Sequence, residues 1–214
     1  MNPDDLIERL SAEVGQRPRR SIPASLITAV SAATIVTLGL SYAFLAPLEW
    51  TPQQLMQPVF MLKIAFLVSL LLASLSIVRD LSSPGRKVSL QLKLALVPFL
   101  ILAVLSYDEV TARHPGGLQH ELLHQSVVAC LLHVSLLAIP AFVILVFTVK
   151  AFAPVDLSRA GLHIGVLSGC IGALGYAFHC HDEFITLAAV SYTLAIVQMG
   201  LIGALLGPRL LRWA

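Results

Sequence analysis

Charge is scarce in this chain of 214 residues: 12% are Asp, Glu, Lys or Arg, while 57% are hydrophobic. A water-soluble domain carries about 25% charged residues, so that class is excluded. Cysteine is scarce too. The three residues present form no Cys-x-x-Cys pair, which argues against a redox-cycling dithiol, and no zinc-finger spacing. No acidic residue lies deep in an apolar run and no line of polar residues crosses one, which argues against a proton relay or a carrier pathway. Nor is there an internal repeat of the kind many transporters are built from. The net charge of +2 is uninformative as a sum because the charge is sorted by side, and the basic residues read as inner anchors of helices rather than as a footprint for nucleic acid. A cleavable signal peptide is not expected, because the first apolar run follows some twenty polar residues and is long enough to span.

What the chain has is six apolar runs, near Ile22–Ala46, Val59–Val78, Leu90–Ser106, Ser126–Val149, Ala160–Phe178 and Phe184–Leu206. Each approaches the roughly 20 residues that a helix needs to cross about 30 Å of hydrocarbon. Twelve of the fourteen Lys and Arg residues fall in alternate gaps: Arg9, Arg17, Arg19 and Arg20; Arg79, Arg86, Lys87 and Lys93; Lys150 and Arg159; Arg209 and Arg212. The other gaps hold one cation, Arg113. Short basic loops stay cytoplasmic. The expected fold is therefore an all-α polytopic membrane protein, a six-transmembrane-helix bundle (22–214) with both termini cytoplasmic and a short cytoplasmic head (1–21).

In the fifth run Gly161, Gly165, Gly169, Ala173 and Ala177 recur every four residues, and Gly203 and Gly207 end the sixth. Such stripes let helix backbones approach closely in lipid. Packing within the chain is the expected use, ahead of a dimer surface. Pro98 and Pro140 fall inside helices. Lys63 lies about a turn inside the second; a charge there is a functional candidate, and the expected reading is snorkelling to the outer surface toward Glu49, Asp108 or Glu109.

The chemistry collects on the outer side. His114, His120, His124, His179 and His181 belong there, with His133 two turns down the fourth helix, and Cys130 and Cys180 join them. The two cysteines can form a disulfide, can bind a soft or borderline ion with the imidazoles, or can be inert. His179 and His181 flank Cys180, and His120 and His124 share a face if the fourth helix starts early. Cys170, mid-helix, reads as a packing residue. No cofactor is obligatory; a Cu, Zn or Cd ion is a candidate signal.

The head reads as a short amphipathic helix. Asp4, Asp5 and Glu8 favour its positive end, and Leu6, Ile7, Leu10 and Val14 share a face. It either lies on lipid or docks in a partner's groove, and its acidity against a negative inner leaflet favours the partner.

These features resemble a known family. The head Asp4–Leu10, Cys130, the stretch Gly172–Cys180 and the ending Gly203–Trp213 look like the NrsF-type membrane anti-sigma factors, and the likeness covers nearly the whole chain. In place of the proline that often follows the family's second cysteine stands His181, a potential ligand. The resemblance implies a bacterial inner-membrane protein that sequesters an extracytoplasmic-function sigma factor. Its head and inner loops would hold the sigma factor, and its paired outer cysteines, implicated in sensing heavy-metal stress, fall on Cys130 and Cys180. Lowering sigma occupancy from 99% to 1% would require about 5.5 kcal/mol of signal. The competing class is a membrane thiol oxidoreductase, or a metal or haem carrier using the outer Cys and His residues.

Overall fold

The computed structural model describes residues 22–45, 56–81, 89–112, 126–152, 154, 156–179 and 185–212. Among them all regular structure is helical, in six elements: α1 (Ile22–Phe44), α2 (Pro58–Leu81), α3 (Ser89–Ala112), α4 (Ser126–Lys150), α5 (Leu157–Ala177) and α6 (Ile185–Leu210). A helix meets its own backbone hydrogen bonds, the only way an open chain can cross hydrocarbon. Five of the six, all but α3, are long and apolar enough among the described residues to do so. Their outer surfaces agree: Phe147 and Leu205 are 72% and 77% exposed. An exterior of that kind belongs in lipid, and the chain has the make-up of a membrane protein.

One end of the bundle is where α1, α3 and α5 finish and where Cys130 lies; it is called here the cysteine end. At the other, the arginine end, Arg79, Lys150 and Arg209 occupy the last turns of α2, α4 and α6. Cations there face the negative ends of the helix dipoles.

The central helix is α5. Of its apolar span 72% is buried, against 33–44% in the other spanning helices. Glycine makes that possible. A Cβ on Gly161 would overlap the Gly203 carbonyl oxygen and stand 2.8 Å from the Gly207 Cα. One on Gly165 would overlap the Met199 carbonyl, and one on Gly169 would lie 3.1 Å from the Ile196 Cα. As the α5 partner moves up the chain the α6 partner moves down, so the two helices are antiparallel with their backbones in contact. Ala173 and Ala177 are fully buried farther along. The stripe packs within the chain, as expected.

Three helix ends differ from the sequence expectation, two of them where a distant residue meets the backbone and one through a local cap. The α3 helix runs on past Ser106, so Asp108 and Glu109 are helical rather than in a loop. Its last turns deliver the Glu109 carboxylate to the start of α6, where it accepts hydrogen bonds from the Thr186 amide (2.8 Å) and hydroxyl (2.9 Å). An anion there meets open N–H groups and the positive end of the dipole. The α5 helix starts at Leu157, three residues early, because Asp156 caps it by accepting from the Arg159 amide at 3.0 Å. The α6 helix continues through Pro208 to Leu210. Proline gives the Ala204 carbonyl no N–H, and that carbonyl accepts from the Ser158 hydroxyl at 3.2 Å instead.

Candidate functional site at the cysteine end

The α4–α5 contact sets the position of Cys130. A Cβ on Gly172 would lie 2.6 Å from the Val134 carbonyl oxygen and 2.8 Å from the Ala138 amide, so these backbones also touch. One turn toward the cysteine end, His133 stacks on Tyr176 with ring centres 5.4 Å apart and planes 10° from parallel. The helices are antiparallel here too. By that register Cys130 lies level with Phe178 and His179, just past the end of α5, at roughly 1.5 Å per residue. Its side chain is 3% exposed, a free thiol in the core cluster that includes Val134, Ala173 and Ala177. The chain reaches Cys180 three residues beyond Ala177.

Cys170 is a fully buried free thiol in the same cluster, which fits the packing role expected of it. Cys180, His181, His120 and His124 lie outside the described residues, as do the head residues Asp4, Asp5, Leu6, Ile7 and Leu10. Among the described residues no three His, Cys, Asp or Glu side chains are grouped to hold a metal ion. His133 is exposed, and its Nδ1 lies 2.6 Å from the Ala129 carbonyl oxygen, an atom that only accepts. Nδ1 therefore carries the hydrogen.

His179 is fixed from a helix that the sequence did not connect to it. Ser41 of α1 donates its hydroxyl to the Gly175 carbonyl at 2.7 Å and lies 3.0 Å from the His179 Nδ1. One turn deeper, the Thr37 hydroxyl donates to the Leu137 carbonyl of α4 at 3.4 Å. The Thr37 methyl occupies space that a Cβ on Gly175 would need, at 2.8 Å. Thr37 and Ser41, one turn apart in an apolar helix, are the sequence signal that could have revealed this tie. Phe178 meets Phe60 of α2 edge-on at 5.8 Å, so α1, α2 and α4 all reach the last turn of α5.

Lys63 does not snorkel. It is 4% exposed, with its ammonium 5.5 Å from the centre of the Tyr192 ring, so it turns inward to α6. The face of an aromatic ring attracts a cation, most strongly where water is excluded. Neighbouring it are Leu102 of α3 and Ile185 and Ala188 of α6.

A separate cavity of about 490 Å³ opens between α2 and α3. Among the described residues its polar lining consists of Ser69 and Ser76, whose hydroxyls donate to carbonyls of their own helix, Phe66 at 2.8 Å and Ala73 at 2.7 Å. Such a lining offers nothing to a metal ion.

Comparison with known proteins bears on the chain as a whole. Residues 10–213 match a family described as "Negative regulator of sigma F", NrsF. The chain is 28% identical over 214 residues to the "Anti-sigma-F factor NrsF" of Caulobacter vibrioides, with all of both chains covered. It is 26% identical over 213 residues to the "Probable anti-sigma-F factor NrsF" of Azospira oryzae, again over the full length of both. No solved structure matches the chain.

Proposed function

The chain belongs to the NrsF family of negative regulators of sigma F, a regulatory rather than enzymatic family, and from that membership we propose how it receives and passes its signal. It is an anti-sigma factor whose partner is a sigma factor of the extracytoplasmic-function class. It resides in a bacterial inner membrane, surrounded by lipid, with six spans and both termini in the cytoplasm. That orientation is supported by the cations at the ends of α2, α4 and α6. The head grips the sigma factor through Leu6, Ile7 and Leu10, flanked by Asp4 and Asp5, and the protein itself touches no nucleic acid.

The signal is received at the cysteine end, on the outer face, by Cys130 and Cys180. The observation that carries this reading is the burial of the Cys130 thiol one turn from Val134, where the α4 and α5 backbones touch. A metal ion or a disulfide at a fully packed thiol cannot be accommodated without moving the helices, because packed interiors shift between discrete arrangements rather than deforming smoothly. The signal is therefore a soft or borderline cation (Cu, Zn or Cd) or an oxidant. The carrier reading has no observation in its favour, and the α2–α3 cavity lining opposes it.

Four strains carrying a sigma-dependent reporter test the switch: Cys130→Ser, Cys180→Ser, the double variant and Cys170→Ser. Each single variant is expected to disturb induction by copper, cadmium or zinc as much as the double does, since the two thiols act as one unit. Cys170→Ser is expected to behave as wild type. Normal induction in the double variant would refute the thiol switch.

A further inference from the structure

The Ser41 hydroxyl has one hydrogen and two close neighbours. The Gly175 carbonyl oxygen, 2.7 Å away, can only accept, so the hydrogen is used there. That carbonyl has need of it. In a continuing helix it would receive the amide of residue 179, but the His179 amide donates to the Tyr176 carbonyl at 2.8 Å instead. Gly175 is thus one of the open carbonyls of a helix C-terminus, closed by a serine from another helix. The second neighbour of Ser41, the His179 Nδ1 at 3.0 Å, must then be the donor. In the neutral ring this leaves Nε2 as a bare lone pair. That atom is buried and has no hydrogen-bond partner among the described residues.

Imidazoles that bind metal ions take this form: one ring nitrogen donates to a fixed oxygen, which sets the tautomer and orients the other toward the ion. The next residues in sequence, Cys180 and His181, are of types suited to soft and borderline ions and lie outside the described residues. We propose that His179 is a metal-ligating residue, through Nε2, for a cation of the Cu(I), Zn²⁺ or Cd²⁺ class, and that Ser41 is its positioning residue. The assignment rests on the reading of this end as the one that receives the signal, and it selects one histidine from the five candidates. It also names a route inward. Ser41 belongs to α1, whose other end leads directly into the head, so capture of the imidazole by an ion bears on the helix that carries the grip.

The test uses the full-length protein in detergent micelles, with Zn²⁺ and Cd²⁺ as probes and affinity read by competition with a chromogenic chelator. His179→Asn keeps an amide donor at the δ position for Ser41 but removes the imidazole, and is expected to weaken binding at least tenfold. Ser41→Ala is expected to weaken it by about 10–100-fold, the usual effect of removing a group that orients a ligand. Ser41→Thr keeps the hydroxyl and is expected to restore most of the affinity. The ¹⁵N resonance of the wild-type His179 Nε2 is expected in the unprotonated range and to move when Zn²⁺ is added, a change that a merely structural histidine would not show. Wild-type affinity in His179→Asn, or no affinity for either ion in the wild type, would overturn the assignment. Retention of the sigma factor by the same proteins without metal is measured alongside. Its loss in the wild type would count against the anti-sigma reading while the affinities still decide the role of His179.

Discussion

Adding one methyl group to the α5–α6 seam is expected to have an effect set by position alone. At Gly161 a Cβ would overlap the Gly203 carbonyl oxygen and lie 2.8 Å from the Gly207 Cα. Both obstacles are backbone, so no rotamer change relieves them and the two helices must separate. Overpacking of this kind costs about 1–3 kcal/mol, and a collision of backbone with backbone belongs at the upper end. Gly169→Ala meets the Ile196 Cα at 3.1 Å and needs a shift of only a few tenths of an ångström; its expected cost lies at the lower end. Gly39 of α1 has nothing within 4 Å of its Cβ position. Replacement by Ala there is expected to stabilise by about 0.5–1 kcal/mol, because alanine is the better helix former. For a chain of this length each kcal/mol moves the melting temperature by about 2–4 °C. Thermal unfolding in one detergent should therefore place Gly161→Ala roughly 6–12 °C below wild type, Gly169→Ala slightly below it and Gly39→Ala slightly above. Equal melting of Gly161→Ala and Gly39→Ala would refute the backbone contact.

Replacing Leu6, Ile7 and Leu10 with Ser is expected to release the sigma factor and leave its reporter on without stress, with the protein still in the membrane; unchanged repression would move the grip to the inner loops. Glu109→Ala leaves the Thr186 amide without its acceptor, a loss of about 1–3 kcal/mol. Hydrogen exchange at Thr186 and its helical neighbours should quicken accordingly, and unaltered exchange would remove the carboxylate from its capping role. Topology reporters fused after Gln57, His120 and Glu183 should read outside, and those after Gly85 and Asp156 inside. An inside signal at His120 would turn the proposed sensor face to the cytoplasm.

The helices and their grouping were legible in the sequence because hydrocarbon imposes a simple demand, some twenty apolar residues in a row, and leaves cations at the ends. The α5 stripe was legible for a similar reason, since four-residue spacing fixes a face whatever the partner. What sequence did not reveal depends on atoms brought together from far apart. Nothing local shows that the Ala204 carbonyl, freed by Pro208, would be met by Ser158, or that Glu109 would close the start of α6. Lys63 reads as a snorkelling lysine by depth alone, and only the position of Tyr192 on another helix turns it inward. At the cysteine end the residue types pointed to the chemistry. The tautomer of His179 could not be read, because it is decided by a serine 138 positions away.

The burial of α5 has a consequence for how the protein is made. Of the five helices apolar enough to span, α5 has the lowest mean hydropathy and α4 the highest. Alone in lipid, α5 would turn the bare backbone at Gly161, Gly165, Gly169 and Gly172 toward acyl chains, with no neighbour filling the hollow that each lacks a side chain to fill. Its entry into the bilayer is thus poorly driven as a solitary event. The order of synthesis supplies the remedy: α4 emerges immediately before it and enters lipid most readily, presenting Val134 and Ala138 as a seat for Gly172. Following it, α6 closes the other side through Gly203 and Gly207. Of those five, the helix that the finished bundle is built around is the one least able to insert by itself, and its neighbours in the chain act as its chaperones.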